Sequence, residues 1–496
     1  MNMLRAVALT LTIALGVLIG IPTAHAAQNR LLVVISDLHL GVGRQSDGSW
    51  DPSEDFRWGK ALAGFLAEIS RQGGDAVDLV IAGDFLELWQ PPRDIACEGD
   101  GADLGCTVGE MKALVARVLT AHRADLAALA DFAGRGSNRV HLIPGNHDSS
   151  LLLPEVWSLV VDALGIPSER VVLVETGLWS SANGQVLIEH GHQIGSDVNR
   201  YATWPKITAR QDQNDYVIRP WGERFVQQLF NAEEREYPII DNLGPETAGA
   251  RYRMADRGLW KSAADVARFI AFNLFETSIA QKSAVLGEQG DAQADAQACT
   301  RELGFRLFTQ ALKPDDALRR QIEADSEEGR ALRAALDAQA RELSEEDLLH
   351  LCAQRTETET LGAAIESKLV PRSEILRRHV GERLKSYPRA SVFVYGHTHQ
   401  LEEPWPLRIN LERELIVTNT GAFQRLVDEP GFLERAKGFA SPQEALRRMR
   451  PEDLAPCYSA VLISYRNGAP AANTVLWHMP ENGAGKLVGP GSAACR

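Results

Sequence analysis

The sequence predicts an α/β fold that is interrupted by a long segment of mainly helical character. Five short apolar runs occur before residue 190, and segments with helical spacing separate them. Runs without polar alternation are typical of strands in a sheet that is buried on both faces. The composition, with 45% hydrophobic and 24% charged residues, is that of a folded protein rather than a disordered or fibrous one.

The expected strands are short, and most contain β-branched residues. They are Leu31–Ile35, Asp78–Ala82, Arg139–Ile143, Arg170–Val174, Gln185–Glu189, Ser391–Tyr395, Leu415–Thr418, Ala460–Ser464 and Thr474–His478. Helical spacing predicts helices over Trp58–Ile69, Met111–Phe132 and Leu151–Val161.

The segment from about Trp221 to Leu384 differs from the rest in its sequence patterns, which are mostly helical. Helix starts are predicted at Ser262-x-x-Asp265 and Ser344-x-x-Asp347. The stretch Val266–Ile279 is apolar over a wide arc, which favours a buried cap helix over a lipid-facing surface.

The N-terminus has the pattern of a signal peptide over residues 1–26. Arg5 precedes the apolar run Ala6–Ile21, and Ala24-His25-Ala26 follows as a cleavage site. An uncleaved membrane anchor is the alternative, but the run is short for a span. We therefore expect an exported protein, either periplasmic or secreted.

The cysteines and the net charge agree with export and limit the partners. All six cysteines follow residue 26, and an oxidising compartment favours disulfides between sequence neighbours: Cys97–Cys106, Cys299–Cys352 and Cys457–Cys495. Metal ligation is the other interpretation, but the chain has no Cys-x-x-Cys pair. The net charge of −14 disfavours long nucleic acids and anionic lipids as partners.

Groups of potential metal ligands follow five of the predicted strands. In chain order they are Asp37-Leu38-His39, Gly83-Asp84, Gly145-Asn146-His147-Asp148, His190-Gly191-His192 and Gly396-His397-Thr398-His399. These groups contain six of the 12 histidines, and we interpret others such as His122 as ordinary helix, strand or surface residues. Ligands gather at the carboxyl ends of strands in open α/β sheets, so the five loops are expected to converge.

The residue types in these loops suit two divalent transition ions. Carboxylates, imidazoles and an amide oxygen favour Mn, Fe or Zn, and Asp84 can bridge two ions with its two oxygens. Such a pair clamps a phosphate group and lowers the pKa of a bridging water, so that hydroxide is present at neutral pH.

The ordered set Asp-x-His, Gly-Asp-x-x-Glu, Gly-Asn-His-Asp, His-Gly-His and Gly-His-x-His resembles the calcineurin-like metallophosphoesterases. The resemblance covers roughly residues 31–199 and 388–480, with 206 residues between His190 and His397. It implies a four-layer α/β/β/α sandwich with a dinuclear metal centre. The expected division is a signal peptide (1–26), a core in two parts (27–199 and 388–496) and a mostly helical insertion (200–387) that could act as a cap or lid.

The resemblance also assigns roles to residues. One ion would be held by Asp37, His39, Asp84 and His399, and the other by Asp84, Asn146, His190 and His397. His147 would protonate the leaving oxygen, and Asp148 would orient its imidazole or cap the following helix. Glu87 and His192 are expected behind the ligands, and Asn419-Thr420-Gly421 either braces a ligand loop or forms a simple turn.

The expected function is hydrolysis of a phosphomonoester or phosphodiester of a small phosphorylated substrate. A nucleotide phosphodiesterase or nuclease is the alternative, and a non-catalytic metal-binding interaction protein is a third. Gly83–Trp89 is similar to the branch that includes UDP-diacylglucosamine hydrolases, whose cytoplasmic substrate does not agree with export. Glu87 occupies the position where purple acid phosphatases carry a tyrosine ligand. Substrate, native metals and oligomeric state stay open, and no stable membrane anchor is expected.

Overall fold

The structure is a computed structural model that describes residues 30–97, 99, 103–195, 199–227, 231–244, 248–249, 252–253, 256, 323–327, 329–331, 333–335 and 372–495. Several predictions fall outside these residues. They are the signal peptide, the helix starts at Ser262 and Ser344, the apolar stretch Val266–Ile279 and the Cys299–Cys352 pair.

Strands and helices alternate through the first part of the chain. They are β1 (Leu31–Ile35), α1 (Gly59–Gln72), β2 (Val77–Ala82), β3 (Leu104–Thr107), α2 (Val108–Ala121), α3 (Arg123–Gly134), β4 (Arg139–Ile143), α4 (Pro154–Leu164), β5 (Val171–Leu173), β6 (Leu178–Ser180) and β7 (Val186–Glu189). A short 3₁₀ turn, Ser149–Leu152, precedes α4.

The described elements after residue 200 again include both types. They are β8 (Thr208–Gln211), β9 (Asn214–Ile218), α5 (Trp221–Phe225), α6 (Asn231–Glu236), β10 (Leu243–Gly244), α7 (Arg372–Ser386), β11 (Val392–Tyr395), β12 (Leu401–Arg408), β13 (Glu414–Thr420), β14 (Val427–Asp428), α8 (Glu429–Ala436), α9 (Pro442–Arg448), β15 (Cys457–Arg466), β16 (Ala469–His478) and β17 (Lys486–Val488). Short 3₁₀ turns lie at Pro451–Asp453 and Ala493–Cys495.

Two mixed sheets form the centre of the fold. The seven-stranded sheet has the order β17-β16-β15-β1-β2-β4-β5, in which β1, β2, β4 and β5 are parallel. The five-stranded sheet has the order β12-β13-β11-β7-β6, in which β13, β11 and β7 are parallel. Strands from the end of the chain thus pair with strands from its beginning: β15 lies antiparallel to β1, and β11 lies parallel to β7.

The two sheets share one apolar cluster. It takes Leu32, Val34 and Val80 from the seven-stranded sheet and Ile188 and Val394 from the five-stranded sheet. Helices α1 to α4 pack on the seven-stranded sheet, and α7 packs on the five-stranded sheet. Each fully buried aliphatic or aromatic side chain in these clusters contributes roughly 1.5–3 kcal/mol, which holds the strand ends in fixed positions.

The segment Met111–Phe132, predicted as one helix, forms two. Helix α2 begins with a capping box between Thr107 and Glu110 and ends before His122, whose φ of −102° and ψ of 25° are not helical. The His122 imidazole lies 2.9 Å from Asp125 in the first turn of α3. Local hydrogen bonding at His122 therefore interrupts a sequence whose apolar spacing runs on.

The described part of residues 200–387 contains strands as well as the predicted helices. Strands β8 and β9 form a hairpin, and β9 also pairs with β3 to make a three-stranded sheet. Strand β3 was missed, because its Leu-Gly-Cys-Thr sequence carries no apolar run.

Two of the predicted disulfides are confirmed, Cys97–Cys106 and Cys457–Cys495. Among the described residues, none of the helices combines the length and apolar character that a membrane crossing needs.

Candidate metal centre

The five ligand loops start at the carboxyl ends of parallel strands. Asp37 follows β1, Asp84 follows β2 and Asn146 follows β4, which are neighbours in the seven-stranded sheet. His190 follows β7 and His397 follows β11, which are neighbours in the five-stranded sheet. Because the two sheets pack on each other, these ends meet at one edge of the molecule.

One group of candidate ligands contains Asp37, His39 and His399. Their ligand atoms lie within 4.8 Å of one another. His399 Nε2 is 3.5 Å from Asp37 Oδ1, and His39 Nε2 is 3.8 Å from Asp84 Oδ2. Three of the four residues predicted for the first ion therefore lie within reach of one ion, and the fourth, Asp84, lies beside His39.

A second group contains Asp84, His190 and His397, again with ligand atoms within 4.8 Å of one another. His190 Nε2 lies 3.0 Å from Asp84 Oδ2 and 2.9 Å from Asn146 Oδ1. Asp84 Oδ2 is thus near His39 on one side and His190 on the other. This is the position that a carboxylate bridging two ions would occupy.

The hydrogen bonding in this cluster is incomplete, which fits metal ligation. Asp37 Oδ1 and His39 Nε2 are buried and have no hydrogen-bond partner among the described residues. A buried polar atom without a partner costs about 1–3 kcal/mol, and a bound cation would remove that penalty. The donor set of carboxylate, imidazole and amide oxygen suits divalent Mn, Fe or Zn.

The backbone at the candidate ligands is strained. Nine non-glycine residues in the described part have positive φ, and five of them are predicted ligands: Asp37, His39, Asp84, His397 and His399. Left-handed conformations at such residues cost roughly 1–3 kcal/mol each and concentrate at functional sites. The surrounding structure therefore holds these side chains in one orientation at the expense of stability.

Two glycines allow the loops to approach closely. A Cβ at Gly83, where φ is 92°, would lie 2.2 Å from His190 Nδ1. A Cβ at Gly145 would lie 2.1 Å from Asp84 Oδ1. Any larger residue at either position would push a candidate ligand out of place.

Asp148 ties two ligand loops together instead of orienting His147 as expected. Its carboxylate accepts hydrogen bonds from the backbone N–H groups of Gly145 at 2.7 Å, Phe85 at 2.8 Å and Leu86 at 3.2 Å. Burial and the charge of Asp84 raise the pKa of Asp148 to about 7. Its place in the fold is that of a brace between the loop after β2 and the loop after β4.

Glu87 holds the position that we expected for Asp148. Its Oε2 lies 2.6 Å from His147 Nδ1 and 2.9 Å from His39 Nδ1, so one oxygen contacts both imidazoles. Burial would raise the pKa of Glu87, but His147 and His39 together lower it to about 2. Glu87 is therefore a charged acceptor that fixes the orientation of both rings.

Trp89 is a site residue that the sequence analysis missed. Its indole stacks on the His147 imidazole, with ring centroids 3.9 Å apart and planes inclined by 23°. Its backbone N–H donates to Glu87 Oε1 at 2.7 Å. The aromatic residue two positions after Glu87 was the available signal, but a stack between loops depends on tertiary placement.

His192 packs against His190 and Trp204. Its ring centroid is 5.4 Å from that of His190 and 4.6 Å from that of Trp204. Burial and the charges of His190 and His397 hold the pKa of His192 well below its usual value. A neutral ring in this position supports His190 without adding charge.

Asn419 braces the loop after β11. Its Nδ2 donates to the Gly396 carbonyl at 3.1 Å and to Thr398 Oγ1 at 3.0 Å. The bracing alternative for Asn419-Thr420-Gly421 is therefore the one found.

The carboxylates of the cluster stabilise positive charge on the imidazoles beside them. Burial would lower the pKa of His39, but Glu87 and Asp84 raise it to about 10. Burial would likewise lower the pKa of His190, but Asp84 raises it to about 9. Without metal these imidazoles hold protons, so metal binding must release protons and weakens as the pH falls.

The fold and the cluster define a class: an α/β protein with candidate metal ligands gathered at the carboxyl ends of strands from two stacked sheets. Residues 31–270 match the family model of the calcineurin-like phosphoesterases, so this part of the chain belongs to that family and the predicted family is confirmed. The match includes the loops after β1, β2, β4 and β7 and ends before His397. No curated protein matches the chain in sequence. The family implies a phosphoesterase hydrolase, and its members typically bind two divalent metals.

Proposed function

We propose that the protein is an exported metallophosphoesterase that hydrolyses a phosphomonoester or phosphodiester at a dinuclear metal centre. The observation that carries this proposal is the pair of ligand groups on either side of Asp84. His147 lies beside them, since its ring nitrogen, His39 and Asp84 form a further group with ligand atoms within 4.8 Å of one another.

The contacts support the following residue roles. Asp37, His39, Asp84 and His399 would hold one ion, and Asp84, Asn146, His190 and His397 the other. When bound, the two ions would activate water and neutralise the charge of the phosphate group.

His147 is proposed as the general acid. Glu87 accepts a hydrogen bond from Nδ1–H, which leaves Nε2 as the atom that passes a proton to the leaving oxygen. The Trp89 stack limits rotation of the ring, so the proton is delivered from a fixed position. Asp148 contributes by fixing the two loops that carry Asp84 and His147.

For the architecture, we propose the four-layer sandwich of the family, with residues 27–199 and 388–496 forming one core. The pairing of β11 with β7 and of β15 with β1 supports this division. Residues 200–387 would be an insertion that acts as a cap, and residues 1–26 a signal peptide. The N-terminal pattern and the two disulfides support export to the periplasm or the medium.

Purified protein lacking residues 1–26 tests the activity. We expect hydrolysis of p-nitrophenyl phosphate or of bis-p-nitrophenyl phosphate with Mn or Zn, and loss of that activity in chelator. A panel of nucleotides beside single-stranded DNA then separates small substrates from polymers. Absence of turnover for every substrate over a wide pH range, in protein shown to contain metal, would refute the proposal.

A further inference from the structure

We propose that Asn199 is a phosphate-contacting residue of the metal centre and that Gly222 in helix α5 keeps its amide in position. In this role Asn199 donates a hydrogen bond to an oxygen of the phosphate group of the substrate. The proposal rests on the proposed phosphoesterase function. It adds a contact from a residue that belongs to neither group of candidate ligands.

The exposure of the site residues shows from which side a substrate can reach the centre. Asp84 and His190 are each only 1% exposed. The side chains of His399 and His147 are 31% and 16% exposed, and His397 is also half-buried rather than buried. A phosphate group therefore approaches the centre past these three histidines.

Asn199 lies beside one of the three histidines. It is half-buried, and its Nδ2 is 3.4 Å from His397 Nε2. An amide nitrogen only donates hydrogen bonds, and an imidazole nitrogen that binds an ion has no lone pair left to accept one. With an ion on His397 Nε2, the Asn199 amide therefore needs another acceptor, and an oxygen of a bound phosphate group supplies it.

Helix α5 fixes the other end of the Asn199 amide. A Cβ at Gly222 would overlap Asn199 Oδ1 and would lie 3.6 Å from the indole of Trp89. Because Oδ1 packs against the glycine, Nδ2 of the same amide is directed towards His397. Helix α5 thus touches Asn199 beside one ligand group and Trp89, whose ring stacks on His147.

An uncharged donor suits this position. Two divalent ions would already balance the charge of the phosphate group, so a further donor contributes direction more than charge. A hydrogen bond to a charged acceptor is stronger than one between neutral groups. Loss of one such bond is expected to weaken binding by about tenfold to a hundredfold.

Binding of inorganic phosphate to the metal-loaded protein tests this proposal without requiring turnover. Calorimetry should show that Asn199→Ala binds phosphate about tenfold to a hundredfold more weakly than the wild type. Elemental analysis should find the same metal content in both proteins. The KM for p-nitrophenyl phosphate should rise by a similar factor, since the contact is made to the bound substrate.

Asn410→Ala is the matched control. Asn410 is exposed in the turn between β12 and β13, at the end of the five-stranded sheet opposite to the His397 loop. This variant should bind phosphate and metal like the wild type.

Asn199→Asp separates a phosphate contact from a role in packing. It keeps the shape of the side chain but replaces the donor by a carboxylate that repels phosphate. It should therefore bind phosphate more weakly than Asn199→Ala, whereas packing alone predicts the reverse order. This variant also covers a failure of Asn199→Ala to fold.

Gly222→Ala tests the part played by helix α5. The added methyl group should displace the Asn199 amide and weaken phosphate binding to about the extent of Asn199→Ala. Combining the two substitutions should then weaken binding little further, because both remove the same contact. Additive losses would show that Gly222 does not act through Asn199.

Four outcomes would overturn the proposal. They are no phosphate binding by the metal-loaded wild type, unchanged phosphate affinity in Asn199→Ala, a milder effect of Asn199→Asp than of Asn199→Ala, or loss of metal with unchanged phosphate affinity. The last outcome would show that Asn199 only orients His397. Each of them leaves the phosphoesterase function standing as long as the wild type hydrolyses p-nitrophenyl phosphate, whereas absence of both phosphate binding and turnover would refute that function as well.

Discussion

His39 and His122 have similar immediate contacts, but they belong to different clusters in the fold. Both are buried, and each has a carboxylate oxygen 2.9 Å from Nδ1, from Glu87 and Asp125 respectively. At His122 the other nitrogen faces Glu54 Oε1 at 3.3 Å, and the same oxygen of Glu54 accepts backbone N–H groups. At His39 the backbone is left-handed, and Nε2 faces Asp84 Oδ2 at the longer distance of 3.8 Å.

The comparison shows that burial and a carboxylate partner do not by themselves identify a metal ligand. The Glu54 cluster places a carboxylate beside each nitrogen of His122 and connects the turn after His39 to the start of α3. The Asp84 cluster has unsatisfied ligand atoms and a strained backbone, which persist because the surrounding sheets enforce them. The first cluster stabilises the fold, whereas the second reduces stability in order to present ligands.

The largest effect is expected from breaking the Asp84 cluster alone. Asp84→Asn removes the carboxylate that both ligand groups share, so both ions should be lost. Phosphoester turnover should fall by at least about 10,000-fold, since metal charge supplies several kcal/mol to the transition state. Elemental analysis and initial rates measure this, with Asp47→Asn at an exposed position as the control. Retention of two ions by Asp84→Asn would contradict the bridging role.

The second-largest effect is expected from His147→Ala, which separates proton transfer from metal binding. His147→Ala should keep both ions and lower kcat by about 100- to 1000-fold for alkyl phosphates. The loss should be smaller for p-nitrophenyl phosphate, because that leaving group needs little protonation. Equal losses for both substrates would argue against His147 as the acid.

Glu87→Gln tests whether one carboxylate orients both His39 and His147. It keeps the shape and removes the charge, so we expect a loss of about 10- to 100-fold in kcat and weaker metal binding. Glu110→Gln, at the helix cap near Thr107, is a matched control that should alter neither quantity. If Glu87→Gln has wild-type kinetics and metal content, the contact of Glu87 with His39 and His147 does not contribute to function.

The smallest effect on activity is expected from the Glu54 cluster, which lies outside the ligand groups. His122→Asn should leave kcat unchanged and lower the free energy of unfolding by about 1–3 kcal/mol, because Glu54 keeps its charge without the imidazole. Urea unfolding of the wild type and the variant measures this difference, and an unchanged free energy would contradict it.

The same cluster predicts a pH dependence with a defined sign. Burial would lower the pKa of His122, but Asp125 and Glu54 raise it to about 9, above the ordinary value of 6.5. The stabilisation from this group is therefore complete below pH 6.5 and is lost as the pH rises through 9. In His122→Asn that part of the decline should be absent, and an identical profile for both proteins would refute it.

Much of the fold could be predicted from the apolar runs. The bounds of β1 and β4 were predicted correctly, because their sequences end at polar clusters. Strand β16 begins at Ala469, five residues before the predicted start, since its first half has no apolar pattern and is held by pairing with β15. The break at His122 involves its contact with Asp125, which the apolar spacing of the helix does not reveal.

In the candidate site, the candidate ligands could be predicted from the sequence, but the contacts between their neighbours could not. The ligand types were visible because they recur directly after strands, and the structure brings them together. The exchange of roles between Asp148 and Glu87 was not visible, because it depends on loop conformations at Asp84 and His147. The stacking of Trp89 on His147 could not be predicted for the same reason.

The pairing of β11 with β7 has a consequence for how the protein matures. His397 and His399 lie in the last quarter of the chain, so a polypeptide still being synthesised has at most the ligands up to His190. It cannot complete either ligand group until His397 and His399 have emerged and β11 has paired with β7. Metal loading would then be a late step that reports on finished folding, and a prematurely terminated chain would remain without its full complement of metal.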